Sequence, residues 1–361
     1  MGKRANGEGS IYKYRDRWAC SVSLGYDECG KRKRRVIYGD TQKEVNDKLL
    51  IIKSEIEQGE YINPSKMTVS EWFNIWLADY CQHIKPRTKE AYKSIIKNYF
   101  DKYIGEMPLQ KINTHTCQRF MNSIDLSPKT KKNIYGVLNR CLNKATQIQY
   151  IKRNPCQFVT IPKIEKKEIR VFSDKEIELI FNELKHSSYY NFYKIALFTG
   201  LRRAELLGLT WNCYKPKNGI LRVYRQLQLI NGEYIMSSPK NGKPRNVTLP
   251  PLACDILDSL NDGKSFYIFH DEEGNHLSYY QAHHIFKRAI KKLNLQDGTL
   301  HDLRHTYATN ALRAGDNIKS VQNNLGHSTP DFTLQVYATV STDMVKETQT
   351  KLQAQFSMLK V

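Results

Sequence analysis

The sequence predicts a mainly α-helical protein of several domains, with one small sheet near the N-terminus and a second small sheet in the C-terminal part. Three observations support this fold class. The chain has 361 residues, enough for two or three domains of ordinary size. Two proline-containing stretches separate three segments: residues 59–66, which have few apolar residues, and residues 152–170, which end in a charged run. Strand-like alternation is confined to residues 10–40 and 220–248, and helical periodicity dominates elsewhere.

The first segment, residues 1–62, is predicted to form a three-stranded sheet followed by one helix. Residues 18–24 alternate between larger apolar and small side chains, as half-buried strands do, and a further strand is predicted over 31–38. Thr41 and Glu44 form the Thr-x-x-Glu pattern of a helix capping box. Apolar residues then recur at helical spacing, namely Val45, Leu49, Ile52 and Ile56.

The second segment, residues 66–152, is predicted to be a helical bundle. Thr68 and Glu71 repeat the capping-box pattern and begin a strongly apolar helix. Further helices are predicted at about 88–103, 115–124 and 129–148. Because the residues between them contain proline or glycine, we expect short loops between neighbouring helices.

The third segment, residues 171–361, is predicted to be mostly helical with a small antiparallel sheet at about 220–248. It opens with another capping-box pattern, formed by Ser173 and Glu176. Near its end, apolar residues fall on one helical face, namely Val345, Leu352, Phe356 and Leu359. This apolar tail is expected either to fold back on its own domain or to dock on a neighbouring subunit.

The composition indicates a polyanionic partner. The chain carries a net charge of +20 with a pI near 9.5, which favours nucleic acid or an anionic membrane surface. The sequence has neither a run of about 18 apolar residues nor an apolar signal segment at its N-terminus. We therefore expect no membrane partner and a cytoplasmic, nucleoid-associated location in a bacterial host. Eight cysteines without a Cys-x-x-Cys pair favour buried, reduced thiols over a zinc ribbon.

Four motifs in the third segment contain the residues that indicate a chemistry. They are Thr-Gly-Leu-Arg-Arg-Ala-Glu-Leu at 199–206, Ser-Pro-Lys-Asn-Gly-Lys at 238–243, His-Asp-Leu-Arg-His-Thr at 301–306, and Leu-Gly-His at 325–327 followed by Thr333 and Tyr337. In this order they resemble the motifs of the tyrosine recombinases, the family that includes phage and conjugative-transposon integrases. The resemblance covers the whole third segment and extends less specifically to the first two.

This resemblance implies an active site that cleaves and rejoins DNA through a 3′-phosphotyrosyl intermediate, without metal, ATP or any other cofactor. The implied catalytic residues are Arg202, Lys240, His301, Arg304, His327 and Tyr337, with Tyr337 as the nucleophile. Glu205 is expected to orient a basic side chain, and His305 to pack or hydrogen-bond locally. Many relatives have a histidine where this chain has Thr339, but that position has no catalytic role in the family.

The chemistry of the reaction favours such a set of residues. Phosphoryl transfer builds negative charge on the non-bridging oxygens, which a metal-free site must meet with fixed cations and hydrogen-bond donors. Arginine suits this task because its planar fork binds two phosphate oxygens and stays protonated. His301 and Arg304 are three residues apart, so they share one face of a helix. Nearby cations favour the phenolate form of a tyrosine and thereby activate it as a nucleophile.

The resemblance also implies a division of labour and a set of partners. Residues 1–62 would bind arm-type DNA sites, residues 66–152 would bind core sites, and residues 171–361 would carry catalysis. The expected partners are double-stranded attachment sites of a phage or transposon, other copies of the chain in a homotetramer on DNA, an excisionase and a DNA-bending protein. The N-terminal sheet is predicted to bind DNA through a basic run, Lys31, Arg32, Lys33, Arg34 and Arg35. The alternative for this run is a solvated basic turn.

Three other interpretations of the chain stay open at this point. His301 and His305 have the spacing of zinc-binding helices, with His327 as a third ligand, but Asp302 replaces the expected glutamate and Arg304 would place a cation beside the metal. A type IB topoisomerase shares the arginine, lysine, histidine and tyrosine chemistry, but the basic N-terminal module and the Leu-Gly-His motif argue against it. A non-catalytic DNA-binding protein would not need every catalytic position to be filled.

Two of the implied assignments have competitors nearby in the chain. Lys243 and Arg245 follow Lys240 closely, and lysines on turns are often merely solvated. Tyr307 lies next to the third motif, but a tyrosine at that place favours a role in the core.

Overall fold

The computed structural model describes residues 11–26, 29–165, 169–239 and 242–326. The chain divides into two compact units, Met1–Glu165 and Lys166–Val361. The predicted fold class is confirmed, because helices predominate and the sheets are small and antiparallel. The finer division into three functional domains stays a prediction. In the described part of the chain, no helix is both long enough and apolar enough to cross a membrane.

The first unit begins with the predicted three-stranded sheet and helix. The elements are β1 (Ile11–Tyr14), β2 (Arg17–Tyr26), β3 (Arg32–Gly39) and α1 (Gln42–Glu57). The strands are antiparallel in the order β1-β2-β3, so β3 is an edge strand. The Thr41 hydroxyl accepts from the Glu44 amide as predicted, whereas the Glu44 carboxylate accepts from the amide of Asp40.

The small core of this module lies between the sheet and α1. It contains Cys20, Val22 and Ile37 from the strands together with Val45, Leu49 and Ile52 from the helix. Ile56 continues the helical spacing in the last turn of α1, but it is 37% exposed and is not part of this core.

The rest of the first unit is the predicted helical bundle. It contains α2 (Val69–Ile75), continued by a π-helical turn at Trp76–Tyr80, α3 (Pro86–Ile95), continued by a π-helical turn at Ile96–Phe100, α4 (Thr114–Ser123) and α5 (Pro128–Gln147). The capping box of Thr68 and Glu71 is confirmed. Trp72 is fully buried, and its indole N–H donates to the carbonyl of Cys141 at 3.2 Å. Cys156 and Val159 are also buried in this core, so the predicted linker at 152–170 begins as part of the bundle.

The second unit has helices around a sheet region close to the predicted one. The helices are α6 (Asp174–Leu184), α7 (Tyr190–Thr199), α8 (Arg203–Leu207), α9 (Pro251–Leu260), α10 (Tyr279–Lys292), α11 (Leu300–Arg313) and α12 (Ile318–Leu325). The strands are β4 (Tyr214–Lys215), β5 (Ile220–Val223), β6 (Gln226–Ile230), β7 (Glu233–Ser237) and β8 (Arg245–Thr248). They form one three-stranded sheet, β4-β5-β8, and one hairpin, β6-β7. The capping box of Ser173 and Glu176 is confirmed.

The core of the second unit places α7 and α11 side by side. Phe192 and Tyr193 of α7 are fully buried with Phe286 of α10 and Leu303 of α11. A smaller apolar cluster, which includes Ala308 and Leu325, packs α12 against α11. As a result, the turn after α7, the middle of α11 and the end of α12 come together.

Candidate active site

The turn between α7 and α8 places the first implied catalytic arginine. Gly200 ends α7 in the left-handed conformation, with φ of +61°. A Cβ atom there would lie 2.5 Å from the Tyr307 ring and 2.6 Å from Leu325, so the first motif requires glycine at this position. Arg202 then forms the N-cap of α8, with its side chain directed back toward the end of α12.

Arg202 is held by three hydrogen bonds. Its Nη1 donates to Glu205 Oε1 at 3.0 Å, and its Nη2 donates to the carbonyl of Gly326 at 3.1 Å. Its backbone amide donates to the second carboxylate oxygen of Glu205 at 2.9 Å. These hydrogen bonds fix the direction of the guanidinium group. Because the side chain is 20% exposed, the group still reaches the surface.

Arg304 lies on α11 and is almost fully buried, with 2% of its surface exposed. Its Nη1 donates to the carbonyl of Gly200 at 2.6 Å, and its Nη2 donates to the carbonyl of Leu325 at 2.7 Å. Burial, and next the positive charge of Arg202, lower the pKa of Arg304 to about 9. The side chain therefore remains a cation at neutral pH.

A third arginine, Arg245 at the start of β8, completes this cluster, and its role was missed by sequence reasoning. Its Nη1 and Nη2 donate to the two carboxylate oxygens of Glu205 at 3.0 and 2.7 Å, and its Nε donates to the carbonyl of Asn324 at 2.7 Å. Three consecutive carbonyls at the end of α12, those of Asn324, Leu325 and Gly326, thus each accept from a different arginine. The C-terminus of a helix carries partial negative charge, which favours this arrangement.

Glu205 is the anion at the centre of the cluster and is fully buried. Burial alone would raise the pKa of its carboxyl group, but the hydrogen bond and charge of Arg245, and then Arg202, lower the pKa to about 2. The carboxylate is therefore ionised over the physiological range and links Arg202 to Arg245. The sequence offered one sign of this arrangement: an acid within an apolar helix, if buried, needs cationic partners.

His301 lies in the first turn of α11, on the side of the arginine cluster. Loss of water contact, and then the charges of His305, Arg304 and Arg202, lower the pKa of His301 to about 4, while Asp302 opposes this shift. His301 is exposed at the surface, and the positive charges of Arg304 and Arg202 nearby disfavour its protonated form. A neutral imidazole at neutral pH offers one hydrogen-bond donor and one acceptor.

His305 is engaged within its own helix. Its Nδ1 lies 3.1 Å from Asp302 Oδ1, and its ring centroid lies 4.8 Å from that of His301. Burial would raise the pKa of Asp302, but the hydrogen bonds from His305 and Thr299 lower it. Among the residues that the structure describes, no cluster of three or more His, Cys, Asp or Glu side chains has a geometry that could hold a metal ion.

Tyr307 belongs to the packing between helices. It lies against the apolar cluster of α11 and α12, and Asn324 Nδ2 is 3.5 Å from its hydroxyl oxygen. Burial raises the pKa of Tyr307, which is the opposite of what activates a tyrosine as a nucleophile.

The remaining implied catalytic residues, Lys240, His327 and Tyr337, lie outside the described residues, as does the apolar tail. Their neighbours in the chain are described. Strand β7 ends directly before Ser238 and β8 begins at Arg245, while α12 ends at Leu325, two residues before His327.

The basic run of the first unit lies on β3 and the turn before it. Lys31, Arg32, Lys33 and Arg34 are exposed. Arg35 pairs with buried Val22, so it lies on the face of the sheet that α1 covers. Its Nη1 donates to the Tyr61 hydroxyl at 3.1 Å. Alternation along the strand therefore places Arg34 on the open face.

Comparison with known proteins assigns this chain to a class. Residues 170–344 match the phage integrase family, and residues 68–124 match the SAM-like N-terminal domain of phage integrases. The chain is 29% identical to a tyrosine recombinase XerC-like protein of Caldanaerobacter subterraneus subsp. tengcongensis, over 94% of this chain and 96% of that protein. It is 23% identical to the ICEBs1 integrase of Bacillus subtilis, over 92% of this chain and 95% of that protein.

Solved structures show the same fold. The Tn1549 transposon integrase in complex with transposon right end DNA has a TM-score of 0.69 at 22% identity, covering 80% of this chain and 100% of that chain. A lambda integrase dimer bound to a COC′ core site has a TM-score of 0.61 at 18% identity, covering 93% of this chain and 96% of that chain. The matched family models and these relatives thus place the chain in the class of DNA strand transferases. The chain belongs to the phage integrase family of tyrosine recombinases and is a site-specific DNA recombinase.

Proposed function

We propose that this recombinase integrates and excises a mobile element by cleaving and rejoining DNA at its attachment sites, with Tyr337 as the nucleophile. The observation that carries the proposal is the convergence of Arg202 and Arg304 on neighbouring carbonyls at the end of α12. Two fixed guanidinium groups at one point suit a phosphodiester, which spreads its charge over two non-bridging oxygens. His327 lies two residues after the end of α12, and Tyr337 lies in the same C-terminal stretch.

The arginines keep donors for the substrate. A guanidinium group has five N–H bonds, and Arg304 uses two of them on carbonyls. Glu205 and the carbonyls fix the direction of these groups before DNA binds, which lowers the reorganisation needed in the transition state. The neutral His301 would add a hydrogen bond to a non-bridging oxygen without requiring a change of protonation.

The reaction conserves the number of phosphoester bonds. The Tyr337 hydroxyl releases its proton to solvent, its phenolate oxygen attacks the phosphorus atom, the bond from phosphorus to the 5′ oxygen breaks, and a 3′-phosphotyrosyl bond forms. The leaving 5′ oxygen takes a proton from the Lys240 ammonium group and becomes a hydroxyl. Attack by the 5′ hydroxyl of another strand reverses these steps and releases Tyr337, so no ATP is needed.

Several partners follow for this chain from its relatives. One neighbour is a lambda integrase tetramer bound to a Holliday junction, with 19% identity over 89% of this chain and a TM-score of 0.63. We infer that this chain also assembles as a tetramer on two attachment sites, in the bacterial cytoplasm and on the nucleoid. Excision would use an excisionase and a DNA-bending protein. The apolar tail, Val345 to Leu359, would hold protomers together.

The N-terminal sheet is proposed to bind the arm-type sites. Its open face carries Arg34 together with Tyr12, Tyr14 and Tyr38, each of these tyrosines being at least 40% exposed. Cations attract the DNA backbone, and a β-ribbon can enter the major groove.

The test of this function is covalent trapping on a suicide substrate, a nicked attachment-site duplex whose cleaved end diffuses away. Tyr337→Phe should abolish the covalent protein–DNA adduct and leave DNA affinity nearly unchanged, because the basic surface supplies most of that affinity. Denaturing gels measure the adduct, and gel shifts measure binding. Tyr307→Phe is the matched control and should retain the adduct.

Two outcomes would contradict the proposal. An adduct that survives in Tyr337→Phe would move the nucleophile elsewhere, and loss of the adduct in Tyr307→Phe alone would assign it to that residue. Relaxation of supercoiled plasmids without attachment sites would favour a type IB topoisomerase activity instead.

A further inference from the structure

Arg245 lies outside the implied catalytic set, but its side chain makes three hydrogen bonds, whereas those of Arg202 and Arg304 make two each. Its guanidinium group binds both carboxylate oxygens of Glu205 and the carbonyl of Asn324. Its side chain is 11% exposed. A Cβ atom on Gly326, which has φ of +64°, would lie 3.0 Å from Arg245 Nη1, so the guanidinium packs directly against that glycine. Such close packing fixes the first residue of β8.

The other end of the same loop is also anchored. Buried Gln226 of β6 donates from its Nε2 to the carbonyl of Ser238 at 2.7 Å, directly after β7 ends. Gly208, at the end of α8, allows close approach of β6, because a Cβ there would lie 2.8 Å from the amide nitrogen of Leu227. Ser238 and Arg245 are therefore both held next to α8, the helix that Arg202 caps.

We propose that Arg245 is a positioning residue for Lys240, the general acid of the proposed function on which this inference rests. Lys240 is five residues before Arg245 in the chain, so it lies within about 18 Å of it at full extension. By binding Glu205, which also holds Arg202, Arg245 fixes the lysine-bearing loop relative to the arginine that receives the phosphate. General acid catalysis requires hydrogen-bond reach of the leaving oxygen, so a displaced loop costs rate.

The fork shape of Arg245, rather than its charge alone, is what this role needs. Lysine keeps the charge but cannot donate to both oxygens of Glu205 and to Asn324 in one plane. Arg245→Lys therefore displaces the start of β8 while leaving the net charge of the cluster unchanged.

The experiment compares cleavage of two suicide substrates, one ordinary and one with sulfur in place of the bridging 5′ oxygen. Sulfur is a better leaving group and needs no general acid. We expect Arg245→Lys to slow cleavage of the ordinary substrate by about tenfold to a hundredfold. This is a part of the rate acceleration that a correctly placed general acid provides. On the sulfur substrate, most of this loss should disappear. Arg222→Lys, an exposed arginine of the same sheet, is the matched control and should cleave both substrates normally.

The outcomes separate this inference from the proposed function. If Lys240→Ala recovers on the sulfur substrate and Arg245→Lys does not, Arg245 does not act through Lys240 and the inference is wrong. If Lys240→Ala also fails to recover, the role of Lys240 as general acid is wrong and the inference falls with it. If Arg245 had a merely structural role, Arg245→Lys would lower the cleavage rates of the ordinary and the sulfur substrate equally. Arg245→Gln, which also removes the charge, is measured on both substrates as a second variant.

Discussion

The arginines of the second unit and those of the N-terminal sheet are the same residue type in opposite surroundings. Arg304 is buried and donates to two backbone carbonyls, and Arg202 is held by a carboxylate and a third carbonyl. Arg34 on β3 is exposed on the open face of its sheet. Buried arginines offer donors in fixed directions, whereas exposed ones offer charge without a fixed geometry.

This difference separates two tasks that a DNA-processing enzyme has to perform. Exposed cations attract the phosphate backbone and supply salt-dependent affinity. Fixed guanidinium groups meet the charge that develops at one phosphate during the reaction. Changes in the buried cluster should therefore affect rate and stability, and changes in the exposed run should affect affinity.

The largest effect is expected from Arg304→Lys. A lysine cannot bind the carbonyls of Gly200 and Leu325 together, so the charge near the phosphate loses its direction. Formation of the covalent adduct should slow by about 10²–10³-fold, the usual cost of one transition-state donor. DNA affinity should change by less than about threefold, because one cation is conserved. Adduct formation at saturating enzyme and gel shifts measure the two quantities.

Arg313→Lys is the matched control for this change, because Arg313 is an exposed arginine in the last turn of α11. It should keep the rate of adduct formation. If both variants lost rate equally, or if Arg304→Lys lost affinity rather than rate, the distinction between the two regions would not hold.

A second prediction concerns Glu205→Gln, which removes the negative charge but keeps the side-chain shape. Arg202 and Arg245 would then lose their buried counter-ion, and breaking such a pair costs about 3–5 kcal/mol of stability. Denaturant unfolding of the full chain at neutral pH should show this loss in the second unit. The exposed Glu178→Gln on α6 is the control and should leave the unfolding free energy unchanged.

The same pair of variants predicts a pH dependence. The pKa of Glu205 falls from 4.5 to about 2 on folding. The stabilisation that ionised Glu205 gives to the fold is therefore complete at pH values above the pKa of the unfolded state. It is lost as the pH falls through the pKa of the folded state. The difference in unfolding free energy between wild type and Glu205→Gln should decrease by about 3 kcal/mol as the pH is lowered from 5 to 2. A difference that stays constant over this interval would show that the ion pair does not stabilise the fold.

The sequence predicts those parts of the fold that depend on local patterns. The capping boxes at Thr68 and Ser173 were predicted because their hydrogen bonds join residues three positions apart. The start of the predicted linker at residue 152 was misplaced, because Cys156 and Val159 are buried by contacts with helices far away in the chain. A short prolyl segment without helical periodicity gives no local sign of such contacts.

The candidate site shows the same limit. The motifs identify Arg202, His301 and Arg304 as a set, but the alignment of the two arginines on the carbonyls at the end of α12 depends on the left-handed glycines at 200 and 326. The pairing of Glu205 with Arg245 joins positions forty residues apart, so no local pattern encodes it. For Lys240, His327 and Tyr337, the sequence motifs remain the basis of the prediction.

The smallest effect, and the sharpest comparison, is expected within the basic run itself. Arg34 and Arg35 are adjacent but lie on opposite faces of β3, and Arg35 donates to the Tyr61 hydroxyl. Arg34→Gln should lower affinity for duplex DNA about twofold to fivefold and reduce the slope of log affinity against log salt by about 1, with unchanged thermal stability. Arg35→Gln should instead cost about 1 kcal/mol of stability, because Tyr61 loses its donor, and should leave the salt slope as in wild type. Fluorescence anisotropy with a duplex of arbitrary sequence over a range of salt, together with thermal melting, measures both quantities. Equal changes of salt slope in the two variants would mean that the run acts as one undivided charged surface, and that the hydrogen bond of Arg35 to Tyr61 does not remove it from DNA binding.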